Sequence, residues 1–143
     1  MEVKIVNNSK HQSPGYSTPY SAGMDLRANL NNTVTIPPFE RKLIPTGLYI
    51  ELPIGYEAQV RPRSGLALKK GLTVLNTPGT IDSDYRGEIG VILVNLSNSI
   101  VTIDDGERIA QLVVAKHEVV EWIHSDKLND SVRGEGGFGH SGT

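Results

Sequence analysis

Cysteine is absent from this sequence of 143 residues. Disulfide bonds, thiolate metal sites and cysteine nucleophiles are therefore excluded. Long apolar runs are also absent, since no stretch approaches the ~20 residues that span a bilayer. Residues 1–8 show no basic segment followed by an apolar one, as a secretory signal would. We therefore expect a soluble, cytoplasmic protein with no membrane partner.

An excess of charge of either sign is lacking too. The chain has 14 basic and 16 acidic side chains, which gives a formal net charge of -2. Sequence-independent binding to DNA or RNA relies on a basic surface that neutralises phosphates. We therefore expect no nucleic-acid partner, and an anionic ligand would have to be held by a few placed basic groups.

Turn-forming residues are plentiful, with 15 glycines and 8 prolines spread along the chain. Short alternating segments between them predict an all-β fold in one compact domain. The segment 88–96 is apolar on both faces and is expected to be central. A last strand over 119–123 is a further candidate. The other predicted strands cover 3–6, 22–28, 34–36, 43–44, 47–52, 56–60, 72–75, 101–103 and 108–116.

One short helix is predicted within 61–71. Residues 66–70 are good helix formers, Ser64 is a favoured N-cap residue, and Gly71 can end the helix in a left-handed conformation. Apolar content falls after residue 124, which predicts a domain over 1–124 and a flexible glycine-rich C-terminal arm over 125–143.

Three segments contain groups that could bind a ligand or take part in catalysis. At the helix start, Arg63, Ser64 and Gly65 offer a guanidinium, a hydroxyl and free backbone N–H groups to a phosphate. The alternative is a plain helix cap with solvated arginines. In the tail, glycines follow Arg133 and surround Phe138. Their N–H groups can wrap phosphate oxygens, or the segment is simply a disordered terminus.

The third segment, 79–87, places two carboxylates, a tyrosine and an arginine between two glycines. Asp82 or Asp84 could act as a general base on water, and Tyr85 could stack on a base or sugar. A surface turn with solvated charges is the alternative. The four histidines show no metal-ligand spacing, and a serine nucleophile elbow is missing, so a protein-built metal site and a serine nucleophile are not expected.

These segments together resemble a known family. The stretches 22–26 (AGMDL), 63–67 (RSGLA), 79–87 (GTIDSDYRG), 107–112 (ERIAQL) and 133–139 (RGEGGFG) are similar, in order, to the five motifs of the homotrimeric dUTP pyrophosphatases. The resemblance covers essentially the whole chain. It implies a jelly-roll-like barrel of the dUTPase type, with active sites shared between three subunits.

The resemblance also implies a reaction and its residues. Asp82 would activate the water that attacks the α-phosphate of dUTP, giving dUMP and pyrophosphate, while Mg²⁺ rides on the phosphates and waters. This activity keeps uracil out of DNA and supplies dUMP for dTMP synthesis. Asp25 would be a supporting, sugar-side group. The phosphate chain would be held by Arg63, Ser64, Gly65 and Gln111.

Base and sugar selection follow from the same resemblance. Tyr85 would pack on the deoxyribose and exclude a 2′-hydroxyl. The arm would close from a neighbouring subunit, with Arg133 on the phosphates. Phe138 would stack over uracil. Gly139, the last residue of the same motif, would also contact the substrate. The residues implied in reading uracil are Asn76, Thr80, Ile81 and Gly90.

One position departs from the family pattern, because His140 replaces the first of two small hydroxyl residues after the last motif. A protonated His140 could supply a positive charge in place of the hydroxyl contact. Two alternatives remain at this point. A dCTP deaminase would need a glutamate in the central hairpin, where Glu88 follows the tyrosine, and a non-catalytic nucleotide-binding trimer would not need a positioned base.

Overall fold

The fold is built almost entirely from short antiparallel strands. The computed structural model describes residues 1–137, so Phe138, Gly139 and His140 lie outside the described residues. Within residues 1–137 there are eleven strands and one helix. In chain order they are β1 (Lys4–Asn7), β2 (Met24–Arg27), β3 (Val34–Ile36), β4 (Arg41–Pro45), β5 (Leu48–Glu51), β6 (Tyr56–Arg61), α1 (Ser64–Lys70), β7 (Leu72–Val74), β8 (Gly79–Ile81), β9 (Gly90–Asn95), β10 (Val101–Ile103) and β11 (Arg108–Lys116).

The strands form four antiparallel sheets. The largest has the order β2-β11-β6-β8, and a three-stranded sheet has the order β4-β9-β7. Strand β1 pairs with β5, and β10 pairs with β3. The predicted all-β class with one short helix is confirmed. The hydrogen-bonded strands of residues 1–137 do not close into one continuous barrel.

The core follows the alternation seen in the sequence. In β2 the side chain of Leu26 is fully buried, whereas Asp25 is only partly buried and Arg27 is exposed on the other face. Strand β9 is the middle strand of its sheet, and its Val91 and Leu93 are fully buried. Its central position, predicted from its apolar content, is therefore confirmed.

The N-cap of helix α1 lies one residue before the predicted N-cap. The N-cap residue is Arg63, with extended backbone at φ -97° and ψ 126°, and no side chain caps the helix. The prediction that Ser64 is the N-cap is wrong, because Pro62 and the extended Arg63 lead the chain into the helix so that Ser64 is already its first helical residue. The predicted end is confirmed, since Gly71 is left-handed at φ 64°.

Residues 117–137 follow β11 without forming a helix or strand. The predicted strand over 119–123 is wrong. Its apolar side chains are exposed, including Trp122 at 82% and Ile123 at 90%. A strand needs a neighbouring strand to satisfy its backbone groups, and this segment has none within the described part of the chain. No helix in residues 1–137 is long and apolar enough to cross a membrane.

Candidate active site

Most of the residues singled out in the sequence fall into two separate concavities. The first, which we call the hairpin pocket, has a volume of about 160 Å³. A cavity of about 150 Å³ can hold a benzene molecule, so the hairpin pocket matches a single six-membered ring in size. Its lining is Val60, Asn76, Gly79, Thr80, Ile81, Asp82, Tyr85, Glu88, Ile89 and Gly90.

Strand β8 and the turn after it build one wall of the hairpin pocket. Gly79 and Ile81 pair with Val60 and Ala58 of β6, which anchors the strand. Asp82 follows β8 directly, and its carbonyl accepts the N–H of Tyr85 at 3.2 Å, so the chain reverses there. The side chain of Asp82 is exposed in the pocket rather than paired in the core.

Tyr85 lies on the opposite side of the turn. Its hydroxyl donates to the carbonyl of Glu88 at 3.0 Å, and the residue is 46% exposed. A Cβ on Gly87 would overlap the ring and hydroxyl of Tyr85, so glycine is needed there for the ring to fold back over the turn. The ring is thereby held in the lining of the pocket, where it is partly exposed.

Asp84 and Arg86 do not share this pocket lining. Arg86 instead donates to the carbonyls of Ser83 at 2.7 Å and Tyr85 at 2.9 Å, which braces the turn from outside. Of the two candidate bases in the segment, Asp82 is the one that the structure places in the pocket.

The second concavity, the basic groove, has a volume of about 300 Å³ and a mostly polar surface. It contains Asp25, the start of α1 and Gln111, which the sequence places far apart. Strand pairing explains their meeting, because Gln111 of β11 lies opposite Asp25 of β2 and Arg61 of β6. Its lining is Ser17, Gly23, Asp25, Arg63, Ser64, Gly65, Arg108 and Gln111.

Two arginines share one carboxylate in the basic groove. Asp25 Oδ1 forms an ion pair with Arg63 Nε at 2.8 Å, and Asp25 Oδ2 accepts a hydrogen bond from Arg108 Nη1 at 3.1 Å. Arg63 also donates from Nη1 to the carbonyl of Arg108 at 3.1 Å. Two guanidinium charges against one carboxylate leave a net positive charge, and the fixed guanidinium planes suit phosphate oxygens.

Gln111 lies beside this cluster. Its Nε2 donates to the carbonyl of Pro62 at 2.9 Å, which ties β11 to the segment entering α1. A Cβ on Gly23 would overlap Gln111 Oε1. Glycine at this position therefore lets the Gln111 amide keep its present place.

The two concavities share no lining residue and lie at different places on the largest sheet. Gln111 of β11 is paired with Arg61 of β6, and Ile81 of β8 is paired with Ala58 of β6. The two residues are therefore two strands apart across the sheet and three residues apart along the strands. With strands ~4.8 Å apart and a rise of ~3.3 Å per residue, the Cα atoms of Gln111 and Ile81 are on the order of 14 Å apart. The hairpin pocket and the basic groove are therefore separate places on one chain.

Arg133 lies in the segment after β11. It donates from Nε to the carbonyl of Gly136 at 2.7 Å, closing a local turn in which Gly134 has φ 53°. Arg133 lines neither the hairpin pocket nor the basic groove.

Two charged residues of the site carried no assigned role in the sequence. Arg108 belongs to the fourth motif, and its position three residues before Gln111 is the signal that could have found it. Glu88 appeared only as a deaminase alternative, and its carboxylate is engaged with backbone N–H groups of Thr46 and Gly47. Pairing between strands that are distant in the sequence brings Arg108 to the basic groove and Glu88 to the hairpin pocket.

Comparison with known proteins gives a consistent result. The family model described as dUTPase matches residues 9–142. The chain is 57% identical to the deoxyuridine 5'-triphosphate nucleotidohydrolase of Cytophaga hutchinsonii over 98% of this chain and 91% of that protein. It is 54% identical to the enzyme of the same name from Finegoldia magna, over 99% of both chains.

A solved structure has the same fold. It is a variant of the dUTPase of Staphylococcus bacteriophage 80alpha with dUpNHpp, at a TM-score of 0.90 and 26% identity over 99% of each chain. The sequence and fold similarities therefore extend over nearly the whole length of the chain.

Proposed function

The chain belongs to the dUTPase family, and on that premise we propose that it hydrolyses dUTP to dUMP and pyrophosphate in the cytoplasm. The observation that carries the proposal is the presence of two complementary concavities. One is the size of a single ring and contains an exposed carboxylate, and the other is polar and basic. A nucleoside triphosphate offers one ring to the first and a chain of anions to the second.

The hairpin pocket would bind deoxyuridine. Backbone groups near Thr80, Ile81 and Gly90, with the amide of Asn76, surround a space the size of uracil. A site built to hydrogen-bond one edge of a base rejects an analogue with the wrong donors and acceptors by several orders of magnitude. Tyr85 would stack on the deoxyribose and leave no room for a 2′-hydroxyl, so UTP would be excluded.

The basic groove would bind the phosphate chain. Arg63, Ser64, Gly65 and Gln111 line it together, and Asp25 orients the guanidinium group of Arg63. The support for Asp25 as an orienting group is its pair of contacts with arginines. Its sugar-side role, implied by the family resemblance, stays a prediction.

Mg²⁺ is the proposed cofactor. Residues 1–137 contain no cluster of three or more histidines or carboxylates that could form a metal cage. We propose that the cation is bound mainly by phosphate oxygens and waters, as Mg²⁺ commonly is at nucleotide sites. Bound in this way, Mg²⁺ supplies positive charge against the charge that develops on the phosphates.

The chemical step requires one base. Asp82 would accept a proton from a water while the water oxygen bonds to the α-phosphorus. The bond from that phosphorus to the bridging oxygen of the β-phosphate breaks, and pyrophosphate leaves with the electron pair. Asp82 suits this role because it is exposed at the pocket and is held by the turn after β8.

A complete site would need more than one copy of the chain. The hairpin pocket and the basic groove are separate concavities on one chain, so we propose a homotrimer in which neighbouring copies supply the two parts of each site. The exposed apolar side chains of 119–123 support association, because large apolar patches on a chain usually mark an interface.

The C-terminal segment would complete the site. We propose that 1–124 is the folded domain and 125–143 an arm, with Arg133 reaching the phosphates of a site on a neighbouring copy. Phe138 and Gly139, outside the described residues, would close over uracil, and His140 would meet the phosphates nearby. Closure would exclude water other than the attacking one.

Pyrophosphate release from dUTP in the presence of Mg²⁺ tests the proposal. Wild-type protein is expected to release pyrophosphate from dUTP and no ammonia from dCTP. Asp82→Asn is expected to lose turnover by about 10²-fold or more because no base remains, while it still binds dUTP. The matched control is Asp84→Asn, which changes the neighbouring carboxylate outside the pocket and should keep turnover. Protein that binds dUTP without releasing pyrophosphate would indicate a non-catalytic binding module instead.

A further inference from the structure

The carboxylate of Glu88 makes an unusual connection between two parts of the chain. Its Oε1 accepts the backbone N–H of Thr46 at 3.0 Å and that of Gly47 at 2.7 Å. These residues form the turn between β4 and β5, more than forty positions away in the sequence. Hydrogen bonds to a charged acceptor are roughly twice as strong as neutral ones, so Glu88 fixes its own segment to that turn.

Neighbouring hydrogen bonds reinforce the connection. Thr46 donates from Oγ1 to the carbonyl of Ile89 at 2.5 Å, and Ile89 donates its N–H to the carbonyl of Leu48 at 2.8 Å. Thr46 and Ile89 are each only 1% exposed. Because water has little access to these groups, lost hydrogen bonds there are not easily replaced.

Glu88 is also joined to the ligand side of the hairpin pocket. Its carbonyl accepts the hydroxyl of Tyr85 at 3.0 Å. Glu88, Ile89 and Gly90 form a second wall of the pocket, in addition to β8 and the turn after it. The position of the main chain at Glu88 therefore sets both the position of this wall and the position of the Tyr85 ring.

We propose that Glu88 is a positioning residue that determines the selectivity of the hairpin pocket. Its side chain holds the wall formed by 85–90 against the turn between β4 and β5, and this wall holds Tyr85 where it excludes a 2′-hydroxyl. The inference rests on the proposed function, since it concerns how the same pocket chooses its nucleotide. Asp82 is on the other wall, held by the pairing of β8 with β6, so the base should stay near its place when Glu88 is changed.

The test compares Glu88→Ala, Glu88→Gln and the control Glu40→Ala, whose exposed side chain lies in the turn before β4. Glu88→Ala is expected to raise KM for dUTP about tenfold, the effect of losing hydrogen bonds to a charged group, with a smaller change in kcat. The preference for dUTP over UTP is expected to fall by a similar factor. Glu88→Gln keeps an acceptor oxygen in place and should recover most of both quantities. Glu40→Ala should match the wild type.

A second measurement separates this inference from the proposed function. Binding of dUMP by calorimetry reports the pocket without any turnover, and Glu88→Ala should weaken it about tenfold. If wild-type protein neither binds dUMP nor hydrolyses dUTP, the proposed function fails. If wild-type protein does both and Glu88→Ala has the same KM and the same dUTP over UTP preference, only the role of Glu88 fails.

The melting temperature of each variant distinguishes positioning from stability. A residue with only a structural role would lower the melting temperature and leave KM and sugar selectivity unchanged below it, and that result would overturn the proposal. If Glu88→Ala does not fold, Glu88→Asp takes its place. It keeps the charge but is one methylene shorter, so it should raise KM and lose sugar selectivity, and an Asp variant with wild-type values would contradict the proposal.

Discussion

Each part of the site depends on one glycine that leaves room for a neighbouring side chain. Gly87 leaves room for the ring of Tyr85, and Gly23 leaves room for the amide of Gln111. In each case the glycine permits a close approach rather than an unusual backbone angle, since neither has a positive φ. Substitution at these positions should therefore displace one identifiable neighbour.

Gly23→Ala should weaken phosphate binding. The added Cβ would overlap Gln111 Oε1 and push that side chain away from the carbonyl of Pro62. The expected result is a roughly three- to tenfold rise in KM for dUTP, the value of about one neutral hydrogen bond. Steady-state kinetics with dUTP would measure it.

Gly15→Ala is the matched control, because a Cβ at Gly15 meets nothing within 4 Å. It should leave KM unchanged. Equal KM values for Gly23→Ala and wild type would show that Gln111 does not contribute to substrate binding.

For single residues, the sequence identified many of the side chains that belong to the site. It did not show which other residues those side chains contact. The segment 79–87 left Asp82 and Asp84 as equal candidates for the base, and the turn after β8 then placed only Asp82 in the hairpin pocket. The family resemblance implied roles for Asp25 and Gln111. Their contacts with Arg63 and Pro62 depend on strand pairing, which no local pattern contains.

Among the elements, the turn between β10 and β11 makes several hydrogen bonds to the N-terminal part of the chain, and two of them involve the carboxylate of Asp105. Asp105 Oδ1 accepts the N–H of Leu30 at 2.8 Å and contacts His11 Nε2 at 3.0 Å. The hydrogen bond from the backbone N–H of Leu30, followed by that from His11, holds the pKa of Asp105 below its ordinary value. The folded state therefore favours the ionised carboxylate.

This shift predicts a pH dependence of stability. Because the pKa of Asp105 is lowered on folding, its contribution is fully present above the ordinary value of 3.8 and is lost as pH falls through the lower folded value. Asp105→Asn should therefore be less stable than wild type at pH 7, and the difference should shrink below about pH 4. Urea unfolding midpoints between pH 3 and pH 7 would measure it.

The control for this prediction is Asp126→Asn, an exposed carboxyl in the segment after β11. It should show no such dependence. A stability difference between Asp105→Asn and wild type that stays constant across the pH range would mean that the ionisation of Asp105 does not stabilise the fold.

Strands could be predicted from the sequence where both of the paired segments lie within the described part of the chain. Alternation in 22–28 and 47–52 predicted buried faces that the structure confirms, including Leu26, Leu48 and Ile50. The segment 119–123 has similar β-forming residues but forms no strand, because pairing depends on a neighbour as well as on propensity. The start of α1 was misplaced by one residue since Arg63, not the better capping residue Ser64, has the extended backbone.

At the scale of the whole molecule, the hairpin pocket and the basic groove are two separate concavities. The hairpin pocket has the carboxylate, and the basic groove has the arginines Arg63 and Arg108. Cyclic assembly can place the groove of one copy beside the pocket of the next, using the same contact at every interface. The central claim is that hydrolysis takes place in such shared sites.

Mixing two inactive variants tests this claim most directly. Asp82→Asn removes the base from the hairpin pocket, and Arg63→Ala removes a guanidinium group from the basic groove, so each alone should be nearly inactive. Unfolded together in equal amounts and refolded, they should regain about a quarter of wild-type pyrophosphate release, since a shared site is intact when both contributing copies carry the undamaged part. If each chain contained its own complete site, every site in the mixture would carry a lesion. A refolded mixture no more active than the separate variants would contradict the account.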